Sequence, residues 1–189
     1  MAKFYTTLTP SLREFIAEQK MFFVATAPES GRINLSPKGM DTFRCIDDAT
    51  VAYLDLTGSG NETSAHLMEN GRITLMLCSY TEKPNILRIH GRGRVVRPED
   101  GEWPMLLANF SPTPGQRQII VVAIESIQTS CGFSIPFYEY LGPREQLVKW
   151  AEVKGEDGLR EYRDTKNAVS IDGLRTGHTG TKSPDRGVD

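Results

Sequence analysis

Val51-Ala52-Tyr53-Leu54-Asp55-Leu56, followed by Thr57-Gly58-Ser59-Gly60-Asn61-Glu62-Thr63-Ser64, is the stretch whose reading decides the fold. The first six residues alternate and carry β-favouring side chains, which predicts a strand. The next eight are almost all Gly, Ser, Thr and Asn, placed where a strand hands over to a helix. Glu62 to Glu69 has the spacing of a short helix, with Ala65, Leu67 and Met68 available for packing and Asn70-Gly71 as its stop. Such a loop can offer backbone N–H groups and hydroxyls to a phosphate. It is equally good turn and cap chemistry, with Asn61 as the N-cap, and it lacks the Gly-Lys-Ser/Thr ending of a P-loop. Both readings stay open, and Glu62 adds a negative charge that a bound phosphate would need a cation to offset.

Outward from this stretch the chain alternates short strand and turn signals. Downstream, Ile73–Cys78 is an apolar run of central-strand length, and Ile86–Val96 alternates apolar positions with Arg88, His90, Arg92 and Arg94, predicting a long strand with one basic face. Upstream, Thr9-Pro10 caps an amphipathic helix to about Gln19. Met21–Thr26 and Ile33–Pro37 then read as a hairpin across Pro28-Glu29-Ser30-Gly31, and Arg44–Asp48 as a short connection. A helix follows Pro98 and carries Trp103, Met105, Leu106, Leu107 and Phe110, and Ile119–Ile127 concentrates β-branched residues in a strand. Arg144–Val153 is the last helix expected. Strands this closely spaced, with helices that do not alternate regularly with them, predict a mainly β fold: a mostly antiparallel β-barrel with a few peripheral helices, which the resemblance given below implies to be a split antiparallel β-barrel. Residues 1–172 form the single domain on this reading. From Gly173 to Asp189 there is almost nothing to bury, so residues 173–189 read as a tail that is flexible or wrapped over a partner.

Bulk composition narrows the function classes. The 189 residues are 39% hydrophobic and 24% charged with a formal net charge of −2, a globular balance that supplies no global attraction for nucleic acid or an anionic membrane. The first residues lack the apolar core of a secretory signal, and no run of about 18 apolar residues occurs. A cytoplasmic protein with no membrane or nucleic-acid partner is the expectation. Cys45, Cys78 and Cys131 are widely separated and should be reduced thiols, and His66, His90 and His178 have no metal-ligand spacing, so no metal is expected. No GxSxG elbow supports acyl transfer.

Two further segments carry candidate chemistry. In Ser36-Pro37-Lys38-Gly39, Pro37 removes an N–H and implies a strand edge or end, from which Lys38 emerges with a mobile positive charge or is simply solvated. Ser130-Cys131-Gly132-Phe133-Ser134-Ile135-Pro136 reads as a bend after a long strand with a buried Cys, or as a place where Gly132 lets the backbone approach something flat.

Taken in order, Phe22-Phe23-Val24-Ala25-Thr26, Ile33-Asn34-Leu35-Ser36-Pro37-Lys38-Gly39, the Thr57–His66 loop and Leu87-Arg88-Ile89-His90-Gly91 resemble the pyridoxamine 5′-phosphate oxidase-like family of flavin-binding split barrels. The likeness covers most of residues 15–150. Ser130-Cys131-Gly132 with Ile135-Pro136, and Asn167 with Ser170-Ile171-Asp172-Gly173, resemble an uncharacterised branch of it. The resemblance implies FMN as cofactor and a homodimer with the flavin site at the subunit interface. It implies cofactor contacts from Asn34, Leu35, Ser36, Lys38, Leu56, Thr57, Ser59, Asn61, Thr63 and Ser64, with Asn34, Ser36 and Thr57 toward the ring or ribityl chain and Ser59, Asn61, Thr63 and Ser64 toward the phosphate.

The departures are specific. The oxidase strand Arg-x-Val-Leu-Leu-Lys corresponds to Ile33–Lys38, where Lys38 matches and the leading Arg does not. Glu62-Thr63 stands where the family's Arg-Lys grips the flavin phosphate, and Gln146 replaces the His of its Arg-x-His element. The expectation is therefore an FMN-dependent oxidoreductase acting on an unidentified small molecule, not true pyridoxamine phosphate oxidation. Its phosphate end is neutral in its own subunit and completed by a cation such as Lys38 or an arginine of another subunit. The alternatives are a non-catalytic flavin, deazaflavin or haem binding module, and a structural barrel with a vestigial pocket.

Overall fold

Strand β8, Gln116–Ser130, is the spine of the sheet: three other strands pair with it, and its β-branched run Ile119–Ile124 is buried on both faces in its first half. The structure is a computed structural model that describes residues 2–178. Around β8 lie β1 (Lys3–Tyr5), β2 (Phe22–Thr26), β3 (Asn34–Lys38), β4 (Phe43–Cys45), β5 (Thr50–Leu56), β6 (Arg72–Cys78) and β7 (Ile86–Val96). The order is β3-β2-β6-β7-β8-β5-β4, every pair is antiparallel, and β1 adds to β8. The sheet curls into the expected split barrel. The helices are α1 (Pro10–Glu18), α2 (Glu62–Glu69), α3 (Trp103–Leu107) and α4 (Gln146–Lys166).

Period-2 alternation separates two cores. Val51, Tyr53, Ile120 and Val122 face the barrel interior with Val24, Leu75, Leu87 and Ile89, closed at one end by Leu12 and Ile16 of α1. Ala52, Leu54, Ile119 and Val121 face outward onto Trp103, Leu106 and Phe110 in and after α3. Both faces of β5 and β8 are thus covered, which is why these strands read as continuous apolar runs.

The β2–β3 hairpin forms as expected, with Phe22 opposite Lys38 and Thr26 opposite Asn34. Its outer strand β3 ends one edge of the sheet, and β4 ends the other. No backbone ladder joins those edges. Two side-chain bridges cross the gap instead: Lys38 Nζ to Asp55 Oδ1 on β5 at 2.9 Å, and Asn34 Nδ2 to Thr63 Oγ1 in α2 at 3.2 Å. The β3–β4 connection turns through two left-handed residues, Met40 (φ 63°) and Asp41 (φ 54°).

The expectations need four corrections. The expected connection Arg44–Asp48 begins inside β4, a three-residue strand too short to show a period. The last helix does not stop at Val153; it runs to Lys166 with a break at Gly155 (φ 64°, ψ 171°), where glycine supplies the positive φ. The bend after β8 exists, but Cys131 is exposed, and Gly132 makes room for the backbone of Pro84 and Asn85, 3.0 Å from where its Cβ would be. The boundary at Gly173 is also displaced. Residues 173–178 pack on the barrel, with Thr176 fully buried, while residues 179–189 of the expected tail lie outside the described residues. No helix among the described residues is long and apolar enough to cross a membrane.

Candidate functional site

The site is built where β5 ends. Asp55 is 2% exposed and holds two cations, Lys38 on one oxygen and Arg117 of β8 on the other, the latter at 2.6 Å. Burial alone would raise its pKa; the adjacent Arg117 and Lys38 outweigh that and hold the carboxyl well below the usual carboxylate range. Gln118 Nε2 donates to the same Asp55 oxygen and to Asn61 Oδ1, both at 2.8 Å. Arg117 Nη1 donates to the Gly60 carbonyl and to Asn167 Oδ1.

These bonds account for most of the expected loop residues. Thr57 is buried, donates to the Gly115 carbonyl and accepts from Arg163 Nε at 2.9 Å. Thr63 is buried under Asn34, whose Nδ2 also meets Thr26 Oγ1, and Thr26 in turn bonds His66 Nδ1. Ser64 is fully buried and donates to the Thr176 carbonyl at 2.6 Å. Ser59 is exposed, Leu35 is exposed on β3, and Ser36 and Leu56 are half-buried. Asn61 precedes α2 but makes no capping bond with its side chain, because Gln118 takes its Oδ1; its Nδ2 is buried and meets no acceptor among the described residues.

A strap formed by residues 167–178 lies over the loop of its own chain. Asn167 Nδ2 donates to the Gly58 carbonyl, both Glu62 oxygens accept from the Ile171 N–H, and Asp172 pairs with Arg32. Thr176 offers its carbonyl to Arg97 Nη2 at 2.7 Å as well as to Ser64. The expectation of a loop neutral in its own subunit is corrected: Arg97, Arg117 and Arg163 all bond to it or to its end residues. They start from three elements and meet only in the fold.

His178 registers that charge. Burial first, then Arg117, Arg97 and Arg163, push its pKa down to about 4 from 6.5. The unfolded chain therefore takes up a proton below pH 6.5 that the folded chain refuses, so this group's contribution to stability is full above pH 6.5 and is lost as pH falls toward 4. Urea midpoints measured across that window should fall with pH, and His178→Asn should flatten the slope.

On the other side of Lys38 opens a groove of about 790 Å³, lined by Pro37, Lys38 and Met40 at the end of β3 and by Tyr80, Tyr138 and Tyr140. The rings of Tyr80 and Tyr138 stand 5.2 Å apart at 33°. Lys38 is thus shared: it lines the groove and is tied through Asp55 to Arg117 at the loop. The basic face expected on β7 is largely spent locally, with Arg92 on Glu125, Arg94 on Glu102 and Arg88 on Ser130.

The sequence profile of the pyridoxamine 5′-phosphate oxidase family matches residues 8–131 of this chain. A curated relative, the pyridoxamine 5′-phosphate oxidase family protein ustO of Aspergillus flavus, is 38% identical over 192 residues, covering 92% of this chain and 77% of its own length. The chain belongs to this family. Among solved structures, HupZ of Group A Streptococcus is similar with a TM-score of 0.51 at 20% identity, covering 64% of this chain and 91% of HupZ. A Lactobacillus delbrueckii protein provisionally assigned as a pyridoxamine 5′-phosphate oxidase gives 0.53 at 17% identity, covering 65% and 94%. At such identities these two speak to the split-barrel fold alone.

Within the pyridoxamine 5′-phosphate oxidase family frame, the matched region ends at residue 131, so α4 and the strap lie beyond it. Arg163, Asn167 and the Thr176 carbonyl come from that later part. Sequence reasoning passed over Arg97, Arg117, Gln118, Arg163 and the groove tyrosines. Only Asn167 carried a signal, through its place beside Ser170-Ile171-Asp172-Gly173.

Proposed function

We propose that this chain binds FMN and acts as an oxidoreductase on a small molecule, as a homodimer. One observation carries the reading: Lys38 joins an aromatic-walled groove of about 790 Å³ to a loop where arginines outnumber carboxylates. Such a site is apolar at one end and cationic at the other, which suits a planar ring with a phosphate tail. The donor set fits the group. Buried donors of Asn61 and Arg97 lack acceptors, and Arg97 and Arg163 lack carboxylate partners among the described residues.

When bound, the flavin supplies the electron or hydride transfer. The chain's own residues do the rest. Pro37 and the tyrosines wall the groove, Lys38 is oriented by its 2.9 Å contact with Asp55, and Asn34 is fixed by Thr26 and Thr63 so that β3 keeps its position beside the groove. Phe133, Phe137 and Leu141, each at least 75% exposed, lie in and around the groove-wall segment and support a second copy packing there.

The test is titration of the purified protein with FMN, followed by anaerobic reduction with NADH or NADPH and reoxidation by acceptors, with sedimentation to read the mass. A flavin spectrum, turnover and a dimer mass are expected. FMN bound without turnover would favour the non-catalytic module, tighter binding of a deazaflavin or haem would move the cofactor assignment, and no binding would overturn the reading.

A further inference from the structure

We propose that Arg97 and Arg163 are the anion-binding pair of this chain, gripping the terminal phosphate of the cofactor in cis from the two ends of the Thr57–Ser64 loop. The choice of FMN as the molecule that carries the phosphate rests on the reading above; the anion site itself rests on the geometry.

Arg117 is spoken for, with Nε and Nη2 on Asp55 and Nη1 on Gly60 and Asn167. Lys38 shares that same carboxylate. Arg97 and Arg163 are half-buried and neither forms an ion pair among the described residues, although Glu156 and Asp164 lie within electrostatic reach of Arg163. Other arginines nearby are paired at the surface, such as Arg32 with Asp172 and Arg94 with Glu102. The acceptors that Arg97 and Arg163 hold are neutral: Ser64 Oγ at 3.2 Å and the Thr176 carbonyl for one, Thr57 Oγ1 and the Gln116 carbonyl for the other. A half-buried guanidinium with neutral acceptors only is under-satisfied, and charge-assisted bonds to phosphate are roughly twice as strong as neutral ones.

Independent features point to the same place. Asn61, 3% exposed at the start of α2, has an Nδ2 without an acceptor, and so does the buried Nε of Arg97. The first turn of α2 leaves the N–H groups of Glu62, Thr63 and Ser64 outside the helical ladder, adding dipole to charge. His178, with its Nε2 buried and unpartnered among the described residues, lies within the field of all three arginines and stays neutral there. Glu62 is the one opposing charge on the loop, and its carboxylate is turned to the Ile171 N–H of the strap. In this arrangement the Thr176 carbonyl holds the place of the anion, taking bonds from both Ser64 and Arg97. A phosphate entering the site exchanges that neutral acceptor for a charged one. Arginines from the end of β7 and from α4 thereby replace the Arg-Lys pair for which this chain has Glu62-Thr63.

The experiment compares FMN with riboflavin, which differ only by the phosphate, using fluorescence titration of wild type, Arg97→Gln, Arg163→Gln and Arg163→Lys. Wild type should bind FMN about tenfold or more tightly than riboflavin, the worth of one charge-assisted bond. Each glutamine variant should bring the ratio toward one while riboflavin affinity holds, and Arg163→Lys should keep part of it. A wild-type ratio of one, or a ratio that survives both glutamine substitutions, overturns the pair while leaving the flavin reading intact. A second arm needs no flavin: inorganic phosphate should raise the thermal midpoint of wild type more than that of the Arg97→Gln, Arg163→Gln double variant. If neither flavin binds yet phosphate still discriminates, the anion site stands and the FMN reading falls. If phosphate acts equally on both proteins, the site is overturned.

Discussion

Replacing Asp55 with asparagine is expected to cost the fold about 3–5 kcal/mol, measured as the loss of unfolding free energy in urea, because it strands the buried Arg117 and the half-buried Lys38 on a neutral amide. Arg117 is 3% exposed and directs Nε and Nη2 at the carboxylate, and Lys38 closes the other oxygen from across the barrel gap. The asparagine amide would keep one acceptor and turn an N–H₂ group toward donors. Adding Lys38→Met should recover part of the loss by removing one of the two stranded charges; a single-variant loss under about 1 kcal/mol would mean that water replaces the carboxylate, and would sink the idea of a dry network. The pH behaviour follows the same pair. The native carboxyl titrates far below its ordinary 3.8, so its contribution is present above pH 3.8 and is lost only as pH falls toward the native value.

Gly91→Ala should be the most damaging small substitution, costing about 3 kcal/mol or more and lowering soluble yield. Gly91 sits at the register shift between β7 and β8, where a Cβ would overlap the Ala123 carbonyl oxygen and lie 3.0 Å from Val122 Cγ1. The obstacle is backbone in the longest pairing of the sheet, so relief requires moving a strand rather than a rotamer. Gly101→Ala, with nothing within 4 Å of its Cβ, is the control and should be near neutral. Equal thermal midpoints for the two variants would show that the bulge is soft.

Much of this framework is legible in the sequence, and the reason is local. The alternation of β5 and β7, the β-branched run of β8, the Thr9-Pro10 cap and the Glu62–Glu69 helix are each encoded within a dozen residues, and each lies where its pattern predicts. What escapes is what depends on distance along the chain or on very short pairings. Strand β4 is three residues and has no period to read. Gly155 looks like a helix stop, yet helical residues resume beyond it and carry Arg163 and Asn167 to the loop. The site was half legible. Lys38, Asn61 and Ser64 stand in segments whose composition advertises them, whereas Arg97, Arg117 and Arg163 look like ordinary surface or strand arginines until the fold brings them to loop residues 33 to 106 positions away in the chain.

Between β3 and the β5–β4 edge the barrel wall has no ladder among the described residues. Elsewhere the barrel opens only by unzipping amide pairs, but along this line Lys38–Asp55 and Asn34–Thr63 are the fastenings, and Pro37 leaves β3 with one fewer amide to recruit a substitute strand. Parting the wall there unzips no strand ladder among the described residues, so an opening along this line uncovers the buried Asp55–Arg117 network beside the groove while the β6–β7–β8 ladder stays intact. Access to the interior and integrity of the sheet are thereby uncoupled.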